Sequence, residues 1–145
     1  MFLVLEQSAG HGAHPSGFDG DLIEVRLPAA ATHLPVLRTL SADLAARLDF
    51  NLDEVADVRM AVDEACAGLV ARAADGATLR VSFTARQGTL RVVATAPTTD
   101  GAEPARDTFG WQVLTALVDE VETAADDTSK EVTVELIKHR AGSGA

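Results

Sequence analysis

Two adjacent carboxylates, Asp63 and Glu64, stand in the run Leu52-Asp-Glu-Val-Ala-Asp-Val-Arg-Met-Ala-Val-Asp-Glu-Ala-Cys-Ala-Gly68, which is strongly helical in pattern. A carboxylate held beside a bound substrate can accept a proton from an attacking hydroxyl. The same carboxylate on an exposed helix face merely solvates it, and from the residues alone that plainer role has the larger claim. One helical turn after Glu64, on the same face, comes Gly68, which has no side chain to offer. Cys66 is the single thiol. It could sense redox state, but it lies beside the apolar stripe of the helix, where a small buried core residue is the simpler reading. His11 and His14 could ligate a metal. They sit among glycine, serine and proline, as histidines in a tail segment do.

The elements that must position these groups follow from periodicity. Leu22-Ile-Glu-Val-Arg-Leu27 reads as a strand ended by Pro28. Leu37, Leu40, Leu44 and Leu48 recur at helical spacing after a cap at Thr32, with Pro35 in the first turn. A second helix starts from Asn51 or Asp53, with Val55, Val58, Val62, Ala65 and Leu69 as its buried stripe. Thr78–Thr84 alternates, with Leu79, Val81 and Phe83 on one face. Gln87-Gly88 turns the chain into a strand over Leu90–Thr95, making a hairpin. A polar, turn-rich loop over 97–107 leads to apolar helical spacing from Phe109 to Val118. Val121 begins a short strand, and Glu131–Ile137 alternates clearly. This order predicts an α+β two-layer sandwich: a mixed, mostly antiparallel sheet covered on one face by helices. The predicted organisation is a flexible segment over 1–20, one domain over 21–138 and a flexible tail over 139–145.

Composition sets the outer bounds. The chain has 145 residues, 47% of them hydrophobic, enough for one domain with its own core. Its 22 acids against 12 bases give a net charge of −10, the wrong sign for gripping a phosphate backbone, so direct nucleic-acid binding is not expected. One cysteine excludes an internal disulfide and fits a reducing cytoplasm. No apolar run reaches the roughly 18 residues of a membrane span. The opening Met1–Leu5 lacks a basic flank and is followed by Glu6, so it does not read as a signal peptide.

The segment Asp53–Cys66, followed by Gly110-Trp-Gln-Val-Leu-Thr-Ala-Leu-Val-Asp-Glu-Val121, resembles two helices of the serine-kinase type of bacterial anti-sigma factor. That family controls general-stress and sporulation sigma factors and is built on the histidine-kinase-like ATPase fold. The resemblance covers about residues 21–138 and implies four parts of an ATP site. Glu64 matches the general base. Gly68 stands where the family places a magnesium-holding asparagine, and magnesium needs hard oxygen ligands that glycine lacks. Ala96 stands at the aspartate that accepts a hydrogen bond from the adenine amino group; Asp100-Gly101, four residues on, resembles the aspartate-glycine pair and could serve after a loop shift. Thr108-Phe109-Gly110 keeps only the second glycine of the phosphate-binding glycine box, and Arg106 is the single base of a shortened lid. ATP and magnesium are therefore expected to bind weakly.

The resemblance also implies partners. Family members bind a sigma factor as homodimers and exchange it for an anti-sigma-factor antagonist. Arg38, early in the first helix, matches a contact residue for both; its plainer reading is a solvated helix charge. Leu34 and Leu37 beside it either extend an apolar patch or face the core, and Asp119, Glu120 and Glu122 form an acidic edge. The expected function is sequestration of a sigma factor in the cytoplasm, with weakened serine kinase activity. The alternatives are an active serine kinase acting on the antagonist, and a degenerate ATPase-like scaffold for another regulator.

Overall fold

The computed structural model describes residues 2–6 and 19–142. Six strands form one sheet in the order β1-β2-β3-β4-β6-β5, and every pairing in it is antiparallel. The strands are β1 (Phe2–Glu6), β2 (Leu22–Pro28), β3 (Thr78–Arg86), β4 (Thr89–Pro97), β5 (Glu120–Ala125) and β6 (Glu131–His139). Helices α1 (Leu34–Arg47) and α2 (Leu52–Arg72) lie between β2 and β3, and α3 (Phe109–Leu117) lies between β4 and β5. In β3 the buried residues are Leu79, Val81, Phe83 and Ala85, and in β4 they are Leu90, Val92, Ala94 and Ala96; the residues between them are partly or fully exposed. This alternation puts one face of the sheet against the helices and leaves the other half-open, as the sequence predicts.

Helix α2 is the centre of the helical layer. Its Asn51 side chain accepts from the Glu54 amide at 2.8 Å while Glu54 Oε1 accepts from the Asn51 amide at 2.8 Å, a reciprocal cap that fixes where the helix starts. Val58, Ala61, Val62, Ala65, Cys66 and Leu69 are buried along one side. That face packs against the sheet and leaves Asp63, Glu64 and Gly68 towards the edge of the layer. Helix α1 presents Leu34, Leu37, Leu44 and Ala45 to the same core, so Leu34 and Leu37 are core residues and not an outer patch.

Three local readings of the sequence differ from the structure. Thr32 does not cap α1; Ala31–His33 forms a short 3-10 turn and His33 takes the cap position. A threonine cap at 32 would draw on the amides at 34 and 35, and Pro35 removes one of the two. Phe2–Glu6, read as lead-in, instead pairs in register with Leu22–Arg26. The backbone groups on the outer edge of β2 accept such a partner, and a short apolar segment supplies one. His139, Arg140 and Ala141, read as tail, are held: the Arg140 amide bonds Gly88 O at 2.7 Å, and the Ala141 amide bonds Glu54 Oε2 at 2.6 Å. The second oxygen of the α2 capping carboxylate thus ties the chain end to the helix start. His11 and His14 lie outside the described residues.

Candidate functional site

A cleft of about 410 Å³ opens between α2, α3 and the loop over residues 98–108. Its size is in the range of small-ligand sites, roughly 300–1,000 Å³. Ala65, Leu69, Leu114, Trp111 and Val134 give it apolar walls, and Glu64, Gly68, Arg72, Asp100, Thr108 and Gly110 line it as well. Four residues singled out from the sequence therefore meet here: Glu64, Gly68, Asp100 and Gly110.

Glu64 and Gly110 are matched by shape. A Cβ built on Gly110 would lie 2.9 Å from Glu64 Oε2 and 3.4 Å from its Cδ, so the glycine is what lets the carboxylate approach the first turn of α3. Thr108 caps that turn, its hydroxyl accepting from the Trp111 amide at 3.1 Å. Glu64 is partly buried, and among the described residues it has no hydrogen-bond or ion-pair partner. At Gly68 the situation is reversed. A Cβ there would meet nothing within 4 Å, so α2 is bare at that point and the cleft reaches its backbone.

The other candidates are placed differently. Ala96 is fully buried, opposite Val132 in the sheet, and does not line the cleft. Asp100 is engaged: its Oδ1 accepts from Arg72 Nη2 at 3.0 Å and from the Ala102 amide at 3.1 Å. The Ala102 amide and then the Arg72 guanidinium hold its carboxyl below the usual carboxylate range. Gly101 is buried at φ +65°, where a Cβ would collide with Lys130, and its amide donates to Thr98 Oγ1 at 2.8 Å. It shapes the loop; it is not among the cleft-lining residues. Arg106 stacks over the Trp111 ring at 4.8 Å and reaches Thr123 Oγ1 at 3.4 Å, outside the lining. Arg38 lies apart on the α1 surface, paired with Asp63 at 2.7 Å with both side chains partly exposed.

Arg72 is the residue that sequence reasoning missed. From the last turn of α2 its guanidinium bonds Asp100 and also the Ala102 carbonyl, while its own carbonyl accepts from the Thr99 amide at 3.0 Å. These contacts latch the loop to the helix. The signal in the sequence was only a basic residue near a helix end, which usually serves the helix itself. Cys66 is fully buried, and burial followed by the charge of Asp63 pushes its thiol up to about 12. It is a core residue with no thiolate to offer near neutrality.

The resemblance assigns three of these positions to magnesium–nucleotide. Of these, Gly68 has no side-chain oxygen, Ala96 is buried outside the cleft, and Asp100 is already bonded. Among the described residues no group of three or more His, Cys, Asp or Glu is placed to hold a metal ion.

The fold and the sequence together define a class. Residues 27–137 match the sequence profile of the histidine kinase-like ATPase domain, and the chain belongs to that family. Among relatives, it is 37% identical over 110 residues to the anti-sigma-F factor RsbW of Mycobacterium tuberculosis, a match covering 76% of this chain and 66% of the relative. It is 27% identical over 125 residues to the serine-protein kinase RsbW of Halalkalibacterium halodurans, covering 73% of this chain and 77% of that one. The chain thus spans just under two thirds of the mycobacterial relative's length. The crystal structure of the RsbU and RsbW domains of a Mycobacterium tuberculosis protein superposes with a TM-score of 0.62 at 16% identity. That match covers 82% of this chain and 32% of the other, and it shows a shared fold.

Proposed function

We propose that this chain is an anti-sigma factor that works by sequestration. It holds a stress- or sporulation-type sigma factor and gives it up to an antagonist protein that competes for an overlapping surface. The domain over residues 21–138 does this as a homodimer in the cytoplasm, with Arg38 at the contact. Arginine grips carboxylates bidentately, and its present partner Asp63 is an exposed one that a better-placed acid can displace. Relatives named as anti-sigma factor and serine-protein kinase support the reading. No helix among the described residues is long and apolar enough to cross a membrane.

In this reading magnesium–ATP binds weakly and serine phosphorylation is weaker still. The observation that carries it is the bare backbone at Gly68 beside Glu64, which has no partner among the described residues. Each missing hydrogen bond to a charged group costs about 1.5–3 kcal/mol, roughly ten- to a hundredfold in affinity. The test is phosphate transfer from magnesium–ATP to a serine of the antagonist protein. Transfer at background, and equal in Glu64→Ala, is the expected result. A second reading, an active serine kinase, draws on the close approach of Glu64 to Gly110. Magnesium-dependent transfer that disappears in Glu64→Ala establishes it in place of the first.

A further inference from the structure

Acids outnumber bases in the lining of the cleft. Among its lining residues Glu64, Asp100 and Glu103 are acids and Arg72 is the one base. That base is already committed to Asp100 and to the Ala102 carbonyl. Glu103 accepts from the Thr123 hydroxyl, which leaves Glu64 as the lining acid without a partner among the described residues. It stands partly buried against the first turn of α3, the very place where a helix would otherwise draw in a phosphate. A carboxylate there repels a phosphate unless a cation lies between them, and Gly68 removes the side chain best placed to hold one. Apart from Thr108 the rest of the wall is apolar, with Trp111, whose ring also carries the Arg106 guanidinium at 4.8 Å, at one side and the open backbone of Gly68 at another.

We infer that the cleft binds a small aromatic or amphipathic cation, with its charged head on Glu64 and its apolar body between Trp111 and the α2 backbone at Gly68. A charge-assisted hydrogen bond pairs the half-buried carboxylate, and ring burial supplies the remainder. The inference concerns the cleft alone and stands whichever protein the Arg38 surface holds.

Trp111 is the single tryptophan and the chain has no tyrosine, so its emission reports on the cleft directly. Benzamidine, benzamide and benzoate have nearly the same shape and carry charges of opposite sign or none. Titrated into the full chain, benzamidine is expected to bind roughly tenfold tighter than benzamide, with benzoate weaker than both, the difference one charge-assisted pair makes. Glu64→Gln should bring benzamidine and benzamide together. Gly68→Leu should fill the cleft and abolish binding while the melting temperature holds or rises, since the new Cβ meets nothing within 4 Å and leucine favours a helix over glycine. Melting temperature with each probe gives a second readout. Benzoate binding as tightly as benzamidine overturns the inference, as does a preference unchanged in Glu64→Gln. So does magnesium–ATP binding tighter than benzamidine, or no saturable change in emission or melting temperature with any of the three.

Discussion

Replacing Gly110 by alanine tests whether the packing of Glu64 onto α3 is as tight as the structure draws it. The new methyl would sit 2.9 Å from Glu64 Oε2. Because that atom ends a flexible side chain, the response is a rotation of the carboxylate away from the helix. Holding a side chain about 30° from its preferred rotamer costs about 0.5–1.5 kcal/mol. Against this, exchanging glycine for alanine gains at most the about 0.5–1 kcal/mol of a mid-helix position, since Gly110 lies in the first turn. The two nearly cancel, so Gly110→Ala alone should leave stability within about 1 kcal/mol of the parent. In a Glu64→Ala background the obstacle is gone and only the gain remains. Urea denaturation of the four proteins should therefore show a coupling of about 0.5–1.5 kcal/mol, with Gly110→Ala stabilising only when Glu64 is absent. Additivity within about 0.3 kcal/mol would refute the contact.

Four further outcomes follow from the same geometry. Gly68→Ala should stabilise by about 0.5–1 kcal/mol in thermal or urea unfolding, since its methyl meets nothing within 4 Å. Ala96→Asp should instead destabilise the protein by several kcal/mol, because the carboxylate enters a fully buried site opposite Val132, and the drop in melting temperature measures it. Arg72→Met should speed hydrogen exchange at the Ala102 amide, whose acceptor Asp100 loses its anchor, while amides of the Asp126 turn stay unchanged. Cys66 should resist thiol reagents near neutrality until the chain unfolds. Its folded thiol ionises near 12 against 9.0 ordinarily, so the unfolded state ionises first; the thiol's share of stability is present below pH 9.0 and is lost as pH rises from there towards 12.

What was legible in the sequence was whatever depends on local period. Of the α2 stripe read from spacing, Val58, Val62, Ala65 and Leu69 are buried and Val55, in the first turn, is half-buried; the inward faces of β3 and β4 follow from spacing in the same way. Glu64, Gly68 and Gly110 could be placed because helix geometry and the resemblance agreed on them. The loop over 98–108 was not legible, because its shape is set by distant partners. Arg72 meets Asp100 across 28 positions and Thr98 bonds the Lys130 carbonyl across 32. Asp100 looked available to a ligand only because its partner lay on another element. Strand β1 was hidden for a similar reason: a short apolar run becomes a strand only when an open edge such as that of β2 receives it. Arg38 shows the reverse case. Its position on α1 was clear from spacing, but its pairing with Asp63 depends on how α1 lies against α2.

Arg38→Ala separates the partner surface from the fold. Its exposed pair with Asp63 is worth about 0.2–1 kcal/mol at most, so a large loss of partner binding with an unchanged melting temperature would assign the residue to recognition. The most direct test of sequestration is capture from the source cells with tagged full chain, in a chelator and without nucleotide, read by mass spectrometry. One sigma factor recovered in near-stoichiometric amount, and lost with Arg38→Ala, is the expected result. Capture that occurs only with magnesium–ATP, or no sigma factor under either condition, would contradict it.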